Sequence, residues 1–191
     1  MNGIETQLFT GQLIYLDEVA PDRDAEVESR WTHDPEFMAL TYADPVRPLS
    51  PAQIRKKYEA LEKEANEWKN LFHFAIRAQS DQRLLGFVQL FRIEWNHSTG
   101  NLIIGIGNPY DHGHGYGSEA LRLTLRYAFG ELNLHRLAAS TFEYNPGAIR
   151  FLERHGFRIE VCQRQAIYRD GRYWNGIKLG LLAEEWLEGT Q

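Results

Sequence analysis

A single cysteine, Cys162, stands in a chain of 191 residues. No intrachain disulfide can form, and the composition suits a reducing compartment. Apolar Ile159 and Val161 lie beside it. That setting predicts a small buried hydrophobe, since no base is in view to make a nucleophilic thiolate. Missing too is any run near the ~20 apolar residues that a membrane-spanning helix needs. The opening stretch, MNGIETQLFTGQLIYLDEV, has no basic region ahead of an apolar one, so it does not read as a signal peptide. Positive charge is scarce: 21 Lys and Arg face 26 Asp and Glu, for a net charge of −5. This argues against general nucleic-acid binding and mildly favours a cationic partner, such as an amine. What is present is a 43% hydrophobic composition, enough for a core without metals or disulfides. The chain reads as soluble and cytoplasmic, a single domain over residues 1–191.

The periodicities predict a mixed order. A first strand covers 12–16. Helices cover 22–31 and 51–68, the second with Ser50 as N-cap and Pro51 at its first position. Between them, 32–49 holds Pro35, Pro45 and Pro48 and reads as an irregular loop. Strands at 72–78, 84–95 and 102–106 form an antiparallel meander. Apolar residues from Ala120 to Leu132 recur at helical spacing. A strand at 136–142, a short helix from Pro146 to His155 and a hairpin of 159–168 with 173–182 complete the order. The fold class is therefore an α/β sandwich around a mixed sheet.

The sharpest local feature is Ile104-Gly105-Ile106-Gly107-Asn108-Pro109-Tyr110-Asp111-His112-Gly113-His114-Gly115-Tyr116-Gly117-Ser118. A strand ends, glycines follow, and a helix starts. Glycine lets the backbone bend and present N–H groups unobstructed, and a helix start adds unpaired donors with partial positive charge. The combination suits a diphosphate; an ordinary turn without ligand is the plainer reading. No lysine follows the glycines, which disfavours an NTPase loop. The dinucleotide fingerprint GxGxxG fails because Ser118 occupies the third glycine position.

From Gly113 onward the chain resembles the GCN5-related N-acetyltransferase superfamily, and within it the branch similar to ribosomal-protein N-terminal acetyltransferases. His112, Gly115 and Gly117 fall on the motif Gln/Arg-x-x-Gly-x-Gly/Ala. Leu132-Asn133-Leu134-His135-Arg136-Leu137 resembles the entry to the family's fifth strand. The stretch from Asn145 to Phe157 is similar to Asn-x-x-Ala-x-x-x-x-x-x-x-Gly-Phe, and the stretch from Gly171 to Trp186 to that branch's C-terminus.

The resemblance implies an acyl-CoA N-acyltransferase fold, with a mostly antiparallel sheet of about seven strands. It subdivides the chain into an N-terminal acceptor side (12–110), an acetyl-CoA-binding core (104–160) and a C-terminal hairpin (161–187). It implies transfer of an acetyl group from acetyl-CoA to a primary amine (a protein N-terminus, a polyamine or another small amine) with no metal. A non-catalytic CoA-binding sensor is the alternative. Backbone N–H groups of Gly113, His114, Gly115, Tyr116, Gly117 and Ser118 would hold the pyrophosphate. Backbone of Ile104 and Ile106 would pair with the pantetheine arm. Asn145 would contact that arm, act as a helix N-cap, or do both. Arg150 and Arg154, one turn apart, would face the CoA phosphates or simply be solvated.

Many relatives carry a tyrosine where this chain has Leu152, so protonation of the leaving thiolate falls to solvent or to Tyr110, Tyr116 or Tyr144. Glu94, Glu143 and His97 are the candidates to take the amine's proton; exposed strand or turn residues is their plainer reading. Trp31, Phe37, Tyr42 and Trp174 would line an acceptor cleft or fill core. Dimers are common among lookalikes, and the residues themselves are silent on assembly.

Overall fold

Proline opens four of the helices. Pro21, Pro35, Pro51 and Pro146 each sit in a first turn, where the missing N–H costs nothing and φ is already set. The computed structural model describes residues 8–189; the first seven residues of the N-terminal stretch lie outside them. The helices are α1 (Pro21–Trp31), α2 (Pro35–Thr41), α3 (Pro51–Trp68), α4 (Tyr116–Arg126), α5 (Pro146–Arg154) and α6 (Ala183–Gly189). The strands are β1 (Ile14–Asp17), β2 (Phe72–Ala78), β3 (Leu84–Glu94), β4 (Thr99–Ile106), β5 (Arg136–Phe142), β6 (Arg158–Arg169) and β7 (Arg172–Leu182).

All seven strands form one sheet in the order β1-β2-β3-β4-β5-β7-β6. Every neighbouring pair is antiparallel except β4 and β5. Strand alternation divides the side chains between two faces. Leu102, Ile104 and Ile106 join the main core with Leu121 and Leu125 of α4 and Leu152 of α5. On the other face Phe87 and Ile103 pack with Trp31, Phe37 and Met38, while Ala25, Ile54 and Tyr58 join α1 to α3.

Three expectations need correction. The segment 32–49 is not wholly irregular: α2 forms within it, with the Asp34 side chain accepting the Glu36 N–H at 2.9 Å. The apolar helical run beyond Gly117 does not stay α-helical, because residues 127–131 wind as a π turn. Cys162 is exposed, since β6 is an edge strand with most of both faces open. Among the described residues no helix is long and apolar enough to cross a membrane.

Candidate active site

The one parallel ladder stops early. Residues 99–102 of β4 pair with 136–139 of β5, yet β4 continues to Ile106 and β5 to Phe142. Beyond Leu102 and Ala139 the two strands part. Each stays bound on its outer side: β4 to β3 as far as Ile106–Gly86, and β5 to β7 as far as Phe142–Gly176. The result is a fork between two otherwise intact half-sheets.

Backbone groups inside the fork can be assigned. The N–H of Gly107 donates to Leu85 O on the β3 side at 2.9 Å. The Ile106 carbonyl instead faces away and meets His112 Nε2 at 3.1 Å. A carbonyl only accepts, so Nε2 carries the proton in this contact. Alternation along a strand puts the N–H and C=O of Ile104 on the same side as those of Ile106. The two residues therefore present backbone to the fork, where β5 no longer answers them.

The turn after β4 is held by charge. Arg83 donates two hydrogen bonds to the buried Asp111 carboxylate, both at 2.7 Å. The guanidinium keeps the Asp111 carboxyl below the usual carboxylate range despite burial. Gly113 and Gly115 then take φ of +79° and +87°, left-handed values that favour glycine. Gly115 is the N-cap of α4 and offers no side chain to the N–H groups of the first turn. Glu119 sits one turn in, but it faces the other way and accepts from the N–H groups of Gln12, Leu13 and Ile14.

A cavity of about 620 Å³ runs through the fork, a volume suited to a sizeable small molecule. Its wall includes Ile104 and Ile106 of β4, His112, Gly113, Gly115, Tyr116, Gly117 and Ser118 of the turn, and Asn145, Leu152 and Arg154 around α5. Tyr116 stacks with His114 at 5.9 Å. Asn145 Oδ1 caps α5 by accepting the Ala148 N–H at 3.0 Å. His114 and Arg150 are not part of the cavity wall, and Arg150 is exposed.

The structure brings neither Glu94 nor Glu143 to this wall. Glu94 pairs with Thr99 at the closed end of the fork. Glu143 accepts the Asn175 N–H at 3.0 Å beside β7. His97 lies in the β3–β4 turn next to Asn96. Of the four aromatics expected in an acceptor cleft, Phe37 lines the cavity and the other three stand off its wall. Trp31 is buried, with its ring where a Cβ on Gly107 would come within 2.0 Å. Tyr42 accepts from Lys57 Nζ at 3.0 Å. Trp174 packs against Tyr144 at 5.4 Å. Tyr144 donates to Ala39 O, and Tyr110 is 88% exposed, so of the three nearby tyrosines only Tyr116 lines the cavity.

Residues that sequence reasoning missed are Asp34, Glu36, Leu40 and Thr41 of the α2 region and Ser140 and Thr141 of β5. The cap signature Asp34-Pro35-Glu36 was the available signal for α2. Behind it lies a buried polar cluster: Glu28 accepts from Lys57 Nζ at 2.8 Å and from Tyr58 OH at 2.5 Å. His73, enclosed by the Tyr58 and Phe87 rings, is pushed down to about 4 by burial. It is a neutral imidazole near pH 7.

A forked mixed sheet, a glycine turn and an uncapped helix start define the acyl-CoA N-acyltransferase fold. The sequence profile of the Acetyltransferase (GNAT) domain matches residues 14–158, and the chain belongs to that family. It is 36% identical over 119 residues to Probable N-acetyltransferase YjcK of Bacillus subtilis, covering 62% of this chain and 63% of that protein. It is 27% identical over 112 residues to a spermidine N(1)-acetyltransferase of Vibrio cholerae, covering 59% and 64% respectively. The chain thus spans less than two thirds of these relatives' own lengths. Among solved structures, spermidine N-acetyltransferase from Vibrio cholerae in complex with CoA and spermine superposes with a TM-score of 0.78. The match has 20% identity over 93% of this chain and 99% of that one. A GNAT-family acetyltransferase from Bacillus anthracis superposes with a TM-score of 0.77 at 22% identity, over 92% and 98%. At these identities the superpositions speak for the fold.

Proposed function

We propose that this protein transfers an acetyl group from acetyl-CoA to a primary amine. The observation that carries the reading is the fork: β4 backbone that β5 no longer pairs, at Ile104 and at the Ile106 N–H, leads straight into a turn whose helix start has no side-chain cap. A pantetheine arm has amides spaced to pair with strand backbone, and a pyrophosphate suits helix N–H donors. Gly113, Gly115, Gly117 and Ser118 hold the phosphates, with Arg154 on the same wall. Asn145 reaches the arm, and His112 caps the end of β4 through its ring.

The thioester supplies an activated acyl carbon. Backbone of Ile104 and Ile106 polarises its carbonyl in this scheme. A neutral amine attacks directly, without a covalent enzyme intermediate. Leu152 has no proton to give, so solvent or Tyr116, which lines the cavity, protonates the departing thiolate. Glu94 and Glu143 stand away from the cavity wall, so the amine's proton leaves by way of water in this scheme.

Relatives named spermidine acetyltransferases make polyamines one arm of an acceptor panel; the likeness to ribosomal-protein N-terminal acetyltransferases makes short peptides the other. The single cysteine and the donor fit the cytoplasm. Titration calorimetry with CoA, followed by a thiol-release assay across that panel, tests the proposal. Heat from CoA and turnover on at least one amine are expected. Absence of any CoA binding by the folded protein would overturn it, and binding without turnover on any amine would return the sensor reading.

A further inference from the structure

Helix α2 has seven residues, too few to hold together unaided. It nevertheless supplies Phe37, Leu40 and Thr41 to the cavity wall. Its middle is held by Phe37 and Met38, which pack with Trp31 and Phe87; its ends are fixed separately. At the start, Asp34 caps it and Trp31, just upstream, packs where Gly107 leaves room. At the finish, the last carbonyls have no helical partner.

Those carbonyls are taken by side chains from the far side of the fork. Tyr144 OH donates to Ala39 O at 3.0 Å, and Asn145 Nδ2 donates to Leu40 O at 3.2 Å. Arg169 Nη2, from the tip of the β6–β7 hairpin, reaches Tyr42 O at 3.1 Å and Asp44 O at 3.2 Å, with Ala43 O at 3.5 Å. The guanidinium lies 5.7 Å from the Tyr144 ring centroid. Trp174 Nε1 fastens the hairpin tip by donating to Arg169 O at 3.1 Å. A positive charge is well placed beside a helix C-terminus. Burial raises the Tyr144 hydroxyl, which keeps it a donor.

We propose that Arg169 is a positioning residue for the acceptor amine, acting through α2. From the hairpin it clasps the chain after α2, and so sets where Phe37, Leu40 and Thr41 stand over the parted strands. Arg169 is not on the cavity wall. Its loss leaves the glycine turn intact and loosens only the acceptor wall. The proposal rests on the acyl-transfer reading of the cavity, but its first readout does not require activity.

Hydrogen–deuterium exchange of the whole protein is compared with that of Arg169→Ala. Faster exchange confined to residues 36–44, with α1 and α3 unchanged, is expected. In steady-state assays the variant should raise the amine KM about tenfold, the scale of losing a charged hydrogen-bond anchor. CoA affinity by calorimetry should stay within about twofold. Arg169→Lys keeps the charge and should recover part of the amine KM. Unchanged exchange at 36–44 overturns the proposal even if no acceptor has been found. So does a variant that exchanges faster everywhere, or one whose amine KM is unmoved. Failure of the wild-type protein to bind CoA would instead strike the acyl-transfer reading.

Discussion

The starts of α3 and α4 are built in opposite ways. Ser50 and Gln53 close a reciprocal capping box on α3: the Ser50 hydroxyl accepts the Gln53 N–H, and the Gln53 side chain accepts the Ser50 N–H. At α4 the N-cap is Gly115, with no side chain at all. One helix spends its first donors on its own chain; the other keeps them open to a cavity. The same contrast runs through the molecule. The α3 side is closed by internal partners, among them the Glu28–Lys57–Tyr58 cluster. The turn before α4 is anchored from behind, by Arg83 on Asp111. One helix start is closed by its own side chains; the other leaves its donors facing a cavity.

The contrast breaks first at Gly117. A Cβ there would meet Ile106 and Phe151 at an ordinary 3.7 Å, so the fold accepts a side chain. Gly117→Glu should still lower CoA affinity by at least about 100-fold, or ~2.7 kcal/mol, by placing a carboxylate against phosphate. Calorimetry checks this; undiminished affinity in a folded variant would remove the turn from the site.

Asp111→Asn comes next. It replaces a buried charge-assisted pair and should cost about 2 kcal/mol of stability, read by urea unfolding. The Asp111 carboxyl is depressed in the folded state. Its contribution is therefore present above the unfolded carboxylate pKa and lost as pH falls through the folded one. The gap between wild type and variant should accordingly close in acid, and a pH-independent gap would contradict the ion pair.

His73 sharpens the α3 side. Its folded pKa of about 4 lies below the unfolded value of about 6.5. The unfolded chain thus binds a proton more readily, and stability declines as pH falls from the upper value toward the lower. His73→Asn should flatten that slope in thermal melts taken across the window. An unchanged slope would mean the imidazole is not enclosed as described. Smallest is Ser50→Ala, expected to lose about 1 kcal/mol of stability while leaving CoA affinity alone. A change in affinity would show that the two helix starts are not separate in function.

The strand, turn and helix around residues 104–118 were legible because they are written in backbone. Glycines at fixed spacing, a strand before and an apolar helix after were enough to place residues 104–118 on a strand, turn and helix. The acceptor side was not legible in this way. Helix α2 is short, lies among Pro35, Pro45 and Pro48, and depends on Tyr144, Asn145 and Arg169, which stand 105 to 127 residues away in the chain. No local pattern reports such contacts. Aromatics misled for a related reason: Trp31, Tyr42 and Trp174 look like ligand surfaces in sequence, but the fold uses them as backing. Glu94 was undone by register, since its level along β3 matches Thr99, at the end where the strands still touch.

The early halt of the β4–β5 ladder also limits what can pass between those strands. Beyond Leu102 and Ala139 each prong keeps its outer antiparallel neighbour, so each moves with its own half-sheet. Only something slim and unbranched, about as thick as a peptide chain, can lie lengthwise in such a slot. Its leading atoms then come to rest at one fixed depth, where Leu102 and Ala139 shut the way. On the acyl-transfer proposal, reach along the slot sets which atom of an entering molecule is offered for reaction.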